Sequence, residues 1–152
     1  MSDFGAALKA ARPRAVAALR RFAGNLDAAE DAFQDAAERA ITAWREQGLP
    51  DNPTGWLITA GRNRLIDAAR KAGREVAGDA PEQSHEDLEP TALDDDLLRL
   101  VFTCCHPALA VEHQVALTLK VIAGLSSADV ALGFLVPVRT MEQRLARARK
   151  KL

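Results

Sequence analysis

The sequence predicts an all-α protein of two small helical domains joined by a flexible acidic linker, and three observations carry that expectation. Apolar residues make up 48% of the 152 positions, yet aromatics are only 5% and tyrosine is absent. The apolar content is therefore mostly Ala, Leu and Val, which favours close helix packing over strands. Apolar residues also recur at helical spacing along most of the chain, and that periodicity lapses once, near the middle. The expected boundaries are a first domain at 1–73, a linker at 74–93 and a second domain at 94–152.

The first helix is expected over roughly Phe4 to Ala23, an Ala- and Arg-rich stretch in which Pro13 either kinks the helix or starts one. Gly24 and Asn25 end it, and Asp27 followed by Glu30 resembles a capping box for a second helix from about Ala28 to Arg45. Leu26, Ala29, Phe33, Ala36, Ala40 and Trp44 fall on one stripe of that helix and form its core face. The opposite face carries Asp31, Gln34, Asp35, Glu38 and Thr42. Such a face is either solvated or a docking surface for a basic partner.

After the turn formers of GLPDNP, Asn52 as N-cap and Pro53 at the first helical position open a third helix that runs to about Ala72. Leu57, Ile58, Gly61, Leu65, Ala68 and Ala69 share the side expected to be buried. Trp56, Thr59, Asn63, Asp67 and Arg70 lie on the other, flanked by Lys71. A Trp there either packs against a neighbouring loop or offers a stacking platform to an unpaired base, with Arg70 and Lys71 on the phosphates.

In the linker the apolar pattern gives way to Gly, Pro, Ser, His and acids. Periodicity resumes near Asp94 with a short helix through Leu97, Leu98, Val101 and Phe102, broken at Pro107. A helix from Val111 to Ile122 follows, with Val115, Leu119 and Ile122 expected inward. Ser126 and Asp129 cap a helix of about Ser127 to Phe134, and Leu135, Val136 and Pro137 make a turn. The last helix has Val138, Met141, Leu145, Ala148 and Leu152 in one expected buried stripe.

Net charge is −1, so the chain has no uniformly basic coat, but its charge is segregated. Glu75, Asp79, Glu82, Glu86, Asp87, Glu89, Asp94, Asp95 and Asp96 fall in a stretch without Lys or Arg. From Val138 to Leu152, Arg139, Arg144, Arg147, Arg149, Lys150 and Lys151 meet one acid, Glu142. The helix, short turn and basic helix of the last 28 residues suit entry into a DNA groove, which a merely solvated basic tail does not require. In a helix-turn-helix the N-terminal part of the second helix meets base edges, so Arg139, Thr140 and Gln143 are expected to read bases. Arg144, Arg147, Lys150 and Lys151 are expected to attract phosphates.

Several function classes drop out. No apolar run approaches the roughly 18–20 residues of a membrane span, and the N-terminus lacks a signal-peptide layout, which predicts a cytoplasmic protein. A Gly-rich phosphate loop and a G-x-S-x-G elbow are missing, so neither an enzyme nor a cofactor is expected. Cys104, Cys105, His106 and His113 invite a zinc or thiol-redox reading. Adjacent cysteines do not reproduce zinc spacing, and Val101, Phe102, Ala108 and Leu109 suit buried thiols, so no metal is expected.

At this point the motifs resemble a family, the bacterial sigma factors of the extracytoplasmic-function (ECF) type. Leu125 to Ala131 and Pro137 to Leu152 look like that family's region 4, AEDAFQDA at Ala29 to Ala36 resembles region 2.2, and Asn52 to Lys71 resembles regions 2.3 and 2.4. The resemblance implies core RNA polymerase and promoter DNA as partners. Residues matching Asp31, Gln34 and Asp35, with Glu38 on the same face, would dock on the clamp helices of the largest polymerase subunit. The loop Glu46 to Pro53, containing Asn52, would capture a base flipped from the −10 element, beside Trp56, Asn63, Asp67, Arg70 and Lys71. Region 4 would read the −35 element as duplex, and the linker would thread the RNA exit channel. VFTCCHPAL, at Val101 to Leu109, is similar to a subgroup that usually continues into a C-terminal extension of helical repeats. An anti-sigma factor or such a regulatory extension is the further partner the resemblance admits. Two departures stand out: Leu135 stands where a turn Gly is frequent, which a wider turn can tolerate, and Glu142 stands where a Lys is frequent, which would weaken attraction to the DNA backbone and alter −35 preference. The rival reading is a stand-alone helix-turn-helix regulator whose residues 1–73 dimerise or sense.

Overall fold

Cap chemistry, more than propensity, decides where three of the described helices begin. A computed structural model describes residues 3–73 and 90–152, and these contain seven helices and no strand. They are α1 (Asp3–Ala23), α2 (Leu26–Gln47), α3 (Pro53–Lys71), α4 (Pro90–Cys104), α5 (Val111–Val121), α6 (Ser127–Gly133) and α7 (Val138–Lys150). The chain divides into two compact units, residues 1–96 and 97–152. Most of the stretch read as a linker, residues 74–89, lies outside the described residues. Residues 90–93 were expected in it and instead open α4, with Pro90 at a helix start, where its missing N–H costs no intrahelical bond.

In the first unit α1, α2 and α3 each pack on the other two. Pro13 neither starts nor ends a helix but lies within the continuous α1. Gly24, with φ of 83°, reverses the chain, and Asn25 rather than Asp27 caps α2, its side-chain oxygen accepting the Ala28 N–H at 2.8 Å. The helix therefore starts two residues earlier than expected, and Asp27 falls in the first turn, where a carboxylate complements the helix dipole. Asn52 caps α3 as expected, accepting the Gly55 N–H at 3.0 Å, with Pro53 first in the helix.

The whole expected stripe of α2 is buried. Trp44, 2% exposed, meets Phe4 edge-on at 6.0 Å between ring centroids and Trp56 at 5.5 Å. On α3, Leu57, Ile58 and Gly61 are buried as expected, but Leu65, Ala68 and Ala69 are half-buried while Gly55 and Ile66 are covered instead. Contact with both α1 and α2 widens the covered arc beyond one stripe. At Gly61 a Cβ would stand 2.7 Å from Leu19 Cδ1, so any larger residue would force the buried Leu19 side chain to shift.

In the second unit α5, α6 and α7 pack on one another. The expectation for α5 is corrected: Ala116, Leu117 and Val121 are buried, Val115 is exposed, and Leu119 and Ile122 are half-buried. Apolar residues occupy both phases of this helix, and α6 and α7 select the phase that periodicity could not. Ser126 caps α6 as expected, accepting the Asp129 N–H at 3.1 Å and donating its hydroxyl to Asp129 Oδ2 at 2.8 Å. On α7, Met141, Leu145 and Ala148 are buried, while Val138 and Leu152, at the ends of the expected stripe, are exposed.

The turn between α6 and α7 is not widened to accommodate Leu135. Leu135 itself takes the left-handed conformation, with φ of 57°. Its N–H donates to the Leu132 carbonyl and the Val136 N–H to the Ala131 carbonyl, each at 3.1 Å. These are the two bonds of a Schellman ending, whose left-handed position glycine normally fills.

Candidate nucleic-acid interface

On α7 the buried stripe fixes which side chains face out. Arg139, Gln143, Arg147 and Lys150 are exposed, Thr140 and Arg144 are half-buried at the margins, and Lys151 is exposed just past the last turn. At about 100° per residue these seven side chains occupy one continuous arc opposite Met141, Leu145 and Ala148. Glu142 falls outside the arc, on the side of Arg149, so the one acid of this helix does not interrupt it. Among the described residues, Arg139, Arg144, Arg147, Lys150 and Lys151 form no ion pair. No side chain caps the start of α7, and its first-turn amides follow Pro137 directly. Unneutralised cations and an uncapped helix start both suit phosphate oxygens.

The polar side of α3 carries Trp56, Asn63, Asp67 and Arg70 along one face, with Lys71 beside it, and all but half-buried Trp56 are exposed. The Trp56 ring is edge-on to Trp44 at an interplanar angle of 68°, so the indole joins the aromatic cluster while the residue stays half-buried. Asn52 stands one turn before this face, its side-chain oxygen engaged in the cap. Two cationic groups close to this region were not singled out from sequence. Arg62 places its guanidinium 4.4 Å from the ring centroid of exposed Phe22, and Arg64 lies 3.8 Å from Asp35.

That second contact changes the reading of the acidic face of α2. Asp31, Gln34 and Glu38 are exposed, with Gln34 Nε2 3.4 Å from Glu38 Oε1. Asp35 is half-buried and paired both to Arg39, one turn on, at 3.2 Å and to Arg64 of α3. The Arg39 pair was legible as an i, i+4 spacing, whereas the Arg64 pair exists only through tertiary packing. Beside Asp31 a small groove of about 150 Å³ runs between α2 and α3, lined by Ala28, Asp31, Ala32, Arg64, Leu65 and Ala68.

The cysteine pair splits between two environments: Cys104 is buried, and Cys105 is exposed with its sulfur 3.9 Å from Thr118 Oγ1. His106 accepts the Ala108 N–H on Nδ1 at 3.0 Å. Among the described residues no group of three or more His, Cys, Asp or Glu side chains is placed to hold a metal ion. No described helix is long and apolar enough to cross a membrane.

Comparison with known proteins follows the same division of the chain. Residues 8–75 match sigma-70 region 2, and residues 99–152 match sigma-70 region 4. An uncharacterized protein of Rhizobium meliloti (strain 1021) is 42% identical over 166 residues, a match that takes in 100% of this chain and 39% of that protein. The probable ECF RNA polymerase sigma factor SigI of Mycobacterium tuberculosis is 29% identical over 157 residues, covering 97% of this chain and 53% of its own length. The chain thus spans about half or less of the relatives it matches.

Proposed function

From the matches to sigma-70 regions 2 and 4, we propose that the chain is an ECF-type sigma factor that binds core RNA polymerase and directs it to a promoter class. The observation that carries this reading is the joining, in one chain, of the exposed polar face of α3 to the uninterrupted cationic arc of α7. Either alone would serve a simpler binding module. In this reading residues 1–73 dock on the polymerase and handle the −10 element, residues 74–89 are a linker, and residues 94–152 read the −35 element.

Each surface has a physical task. The α2 face, with Asp31, Gln34, Asp35 and Glu38, meets the polymerase, and the adjoining groove between α2 and α3 adds apolar contact. Asn52, Trp56, Asn63, Asp67, Arg70 and Lys71 hold the −10 strand, with the Trp56 indole as a stacking surface and the two cations near phosphates. On α7, Arg139, Thr140 and Gln143 meet base edges in the major groove, and Arg144, Arg147, Lys150 and Lys151 replace counterions on the backbone. The chain supplies binding and positioning, and the polymerase supplies the chemistry. Within the family, Val101 to Leu109 supports a place in the subgroup that carries the FTCCHPAL motif.

The test is in vitro transcription with core RNA polymerase over a promoter library. Promoter-specific initiation that depends on this chain is expected. Failure to bind core polymerase, or binding without directed initiation, refutes the proposal; duplex binding without core binding would instead identify a stand-alone regulator.

A further inference from the structure

We infer that Leu135 reads thymine: its side chain meets a thymine C5-methyl group in the −35 duplex and so contributes to promoter specificity. The inference rests on the reading of α7 as the DNA-reading helix and adds a residue that lies before that helix.

Leu135 is a poor choice for the fold in two respects. It is the one non-glycine residue with positive φ among the described residues, at a Schellman position that glycine fills without strain. It is also 90% exposed, so no burial compensates for the strain. A strained and uncovered large side chain at the entry to a binding helix points to a use in binding.

Its surroundings select the ligand. Leu132, whose carbonyl accepts the Leu135 N–H, is 73% exposed, and Val138 is 42% exposed, so the turn presents apolar side chains on both sides of Leu135. From Val130 to Met141 the chain contains no carboxylate and a single charge, Arg139. A polyanion is therefore not repelled at the turn, and it is attracted by the arc that begins three residues after Val136. Whatever meets Arg139 and Thr140 at the start of α7 passes close to the turn. Among the groups exposed in a major groove, the thymine methyl is the apolar one.

The test uses the full-length chain assembled with core RNA polymerase and the promoter duplexes that this holoenzyme enriches from a random library. Each −35 thymine is replaced in turn by deoxyuridine, which removes only the methyl group. Wild-type holoenzyme is expected to lose about fourfold in affinity at one or two thymines, the effect of one buried methyl group. Leu135→Asn and Leu135→Gly, which both tolerate the left-handed backbone, are expected to bind thymine and uracil duplexes equally. Equal sensitivity to uracil in all three proteins, or an enriched −35 element without thymine, overturns the inference while leaving the sigma-factor reading intact. Weaker core binding by Leu135→Asn in the absence of DNA also overturns it, by making Leu135 a protein contact. If no duplex is enriched at all, the promoter reading fails and this inference with it.

Discussion

Replacing Leu135 by glycine is expected to stabilise the second unit, which is unusual for removal of a large apolar side chain. The left-handed conformation costs a non-glycine residue about 1–2 kcal/mol. Glycine regains that strain but loses roughly 0.4–1 kcal/mol through the greater freedom of its unfolded chain. Because Leu135 is 90% exposed, almost no packing is lost. The net gain is about 0.5–1 kcal/mol, equivalent to roughly 2–8 °C in melting temperature for a unit of this size. Differential scanning calorimetry of the full chain, with hydrogen exchange at α6 and α7 to assign the transition, measures it. Leu135→Ala is the control, since alanine keeps the strained φ and gains nothing. If alanine stabilises as much as glycine, the removal of exposed apolar surface is responsible and the backbone argument is wrong.

Gly61→Ala is expected to destabilise the first unit by about 1–3 kcal/mol, read by urea unfolding, because its Cβ would meet the fully buried Leu19 at 2.7 Å. Unchanged stability would show that Leu19 has room to rotate. Arg139→Ala and Gln143→Ala are expected to change −35 sequence preference by about 1–3 kcal/mol at single base pairs. Lys150→Ala is expected to weaken binding evenly and lower the salt slope by about 1. Equal behaviour of all three would remove the division between base and phosphate contacts. Trp56→Ala is expected to keep a folded helical spectrum and −35 duplex binding while losing strand opening, followed by permanganate reactivity at −10. Loss of the fold instead would make the indole a core wedge against Trp44.

How far the sequence can be read depends on whether one phase of a helix dominates. In α2 and α7 one apolar phase dominates: the structure keeps the whole stripe from Leu26 to Trp44, and Met141, Leu145 and Ala148 of the α7 stripe. In α5, Val115 and Leu119 compete with Ala116, Leu117 and Val121, and only α6 and α7 decide between them. Boundaries failed where two caps were available: Asn25 lies just before Asp27, and its side chain reaches the Ala28 amide. The start of α4 was hidden by acids that resemble a linker, although Pro90 is itself a helix-start signal. Resemblance drew attention to Leu135, but its conformation became visible only in the bonds of the turn. The charge of Asp35 is visible in the sequence, but the Arg64 guanidinium that reaches it from α3 is not.

The shared Asp35 carboxylate bears on how this protein responds to ionic strength. Two guanidinium groups already offset its charge, so a cationic surface approaching α2 is drawn mainly by Asp31 and Glu38. Long-range attraction is then modest, and contact along Ala28, Ala32 and Leu65 matters more. The cations of α7 have no such internal counterions. Raising salt should therefore loosen the grip on a duplex well before it separates the α2 face from a protein partner. If the chain acts as the proposed sigma factor, rising salt would first cost it promoter choice and only later the complex itself.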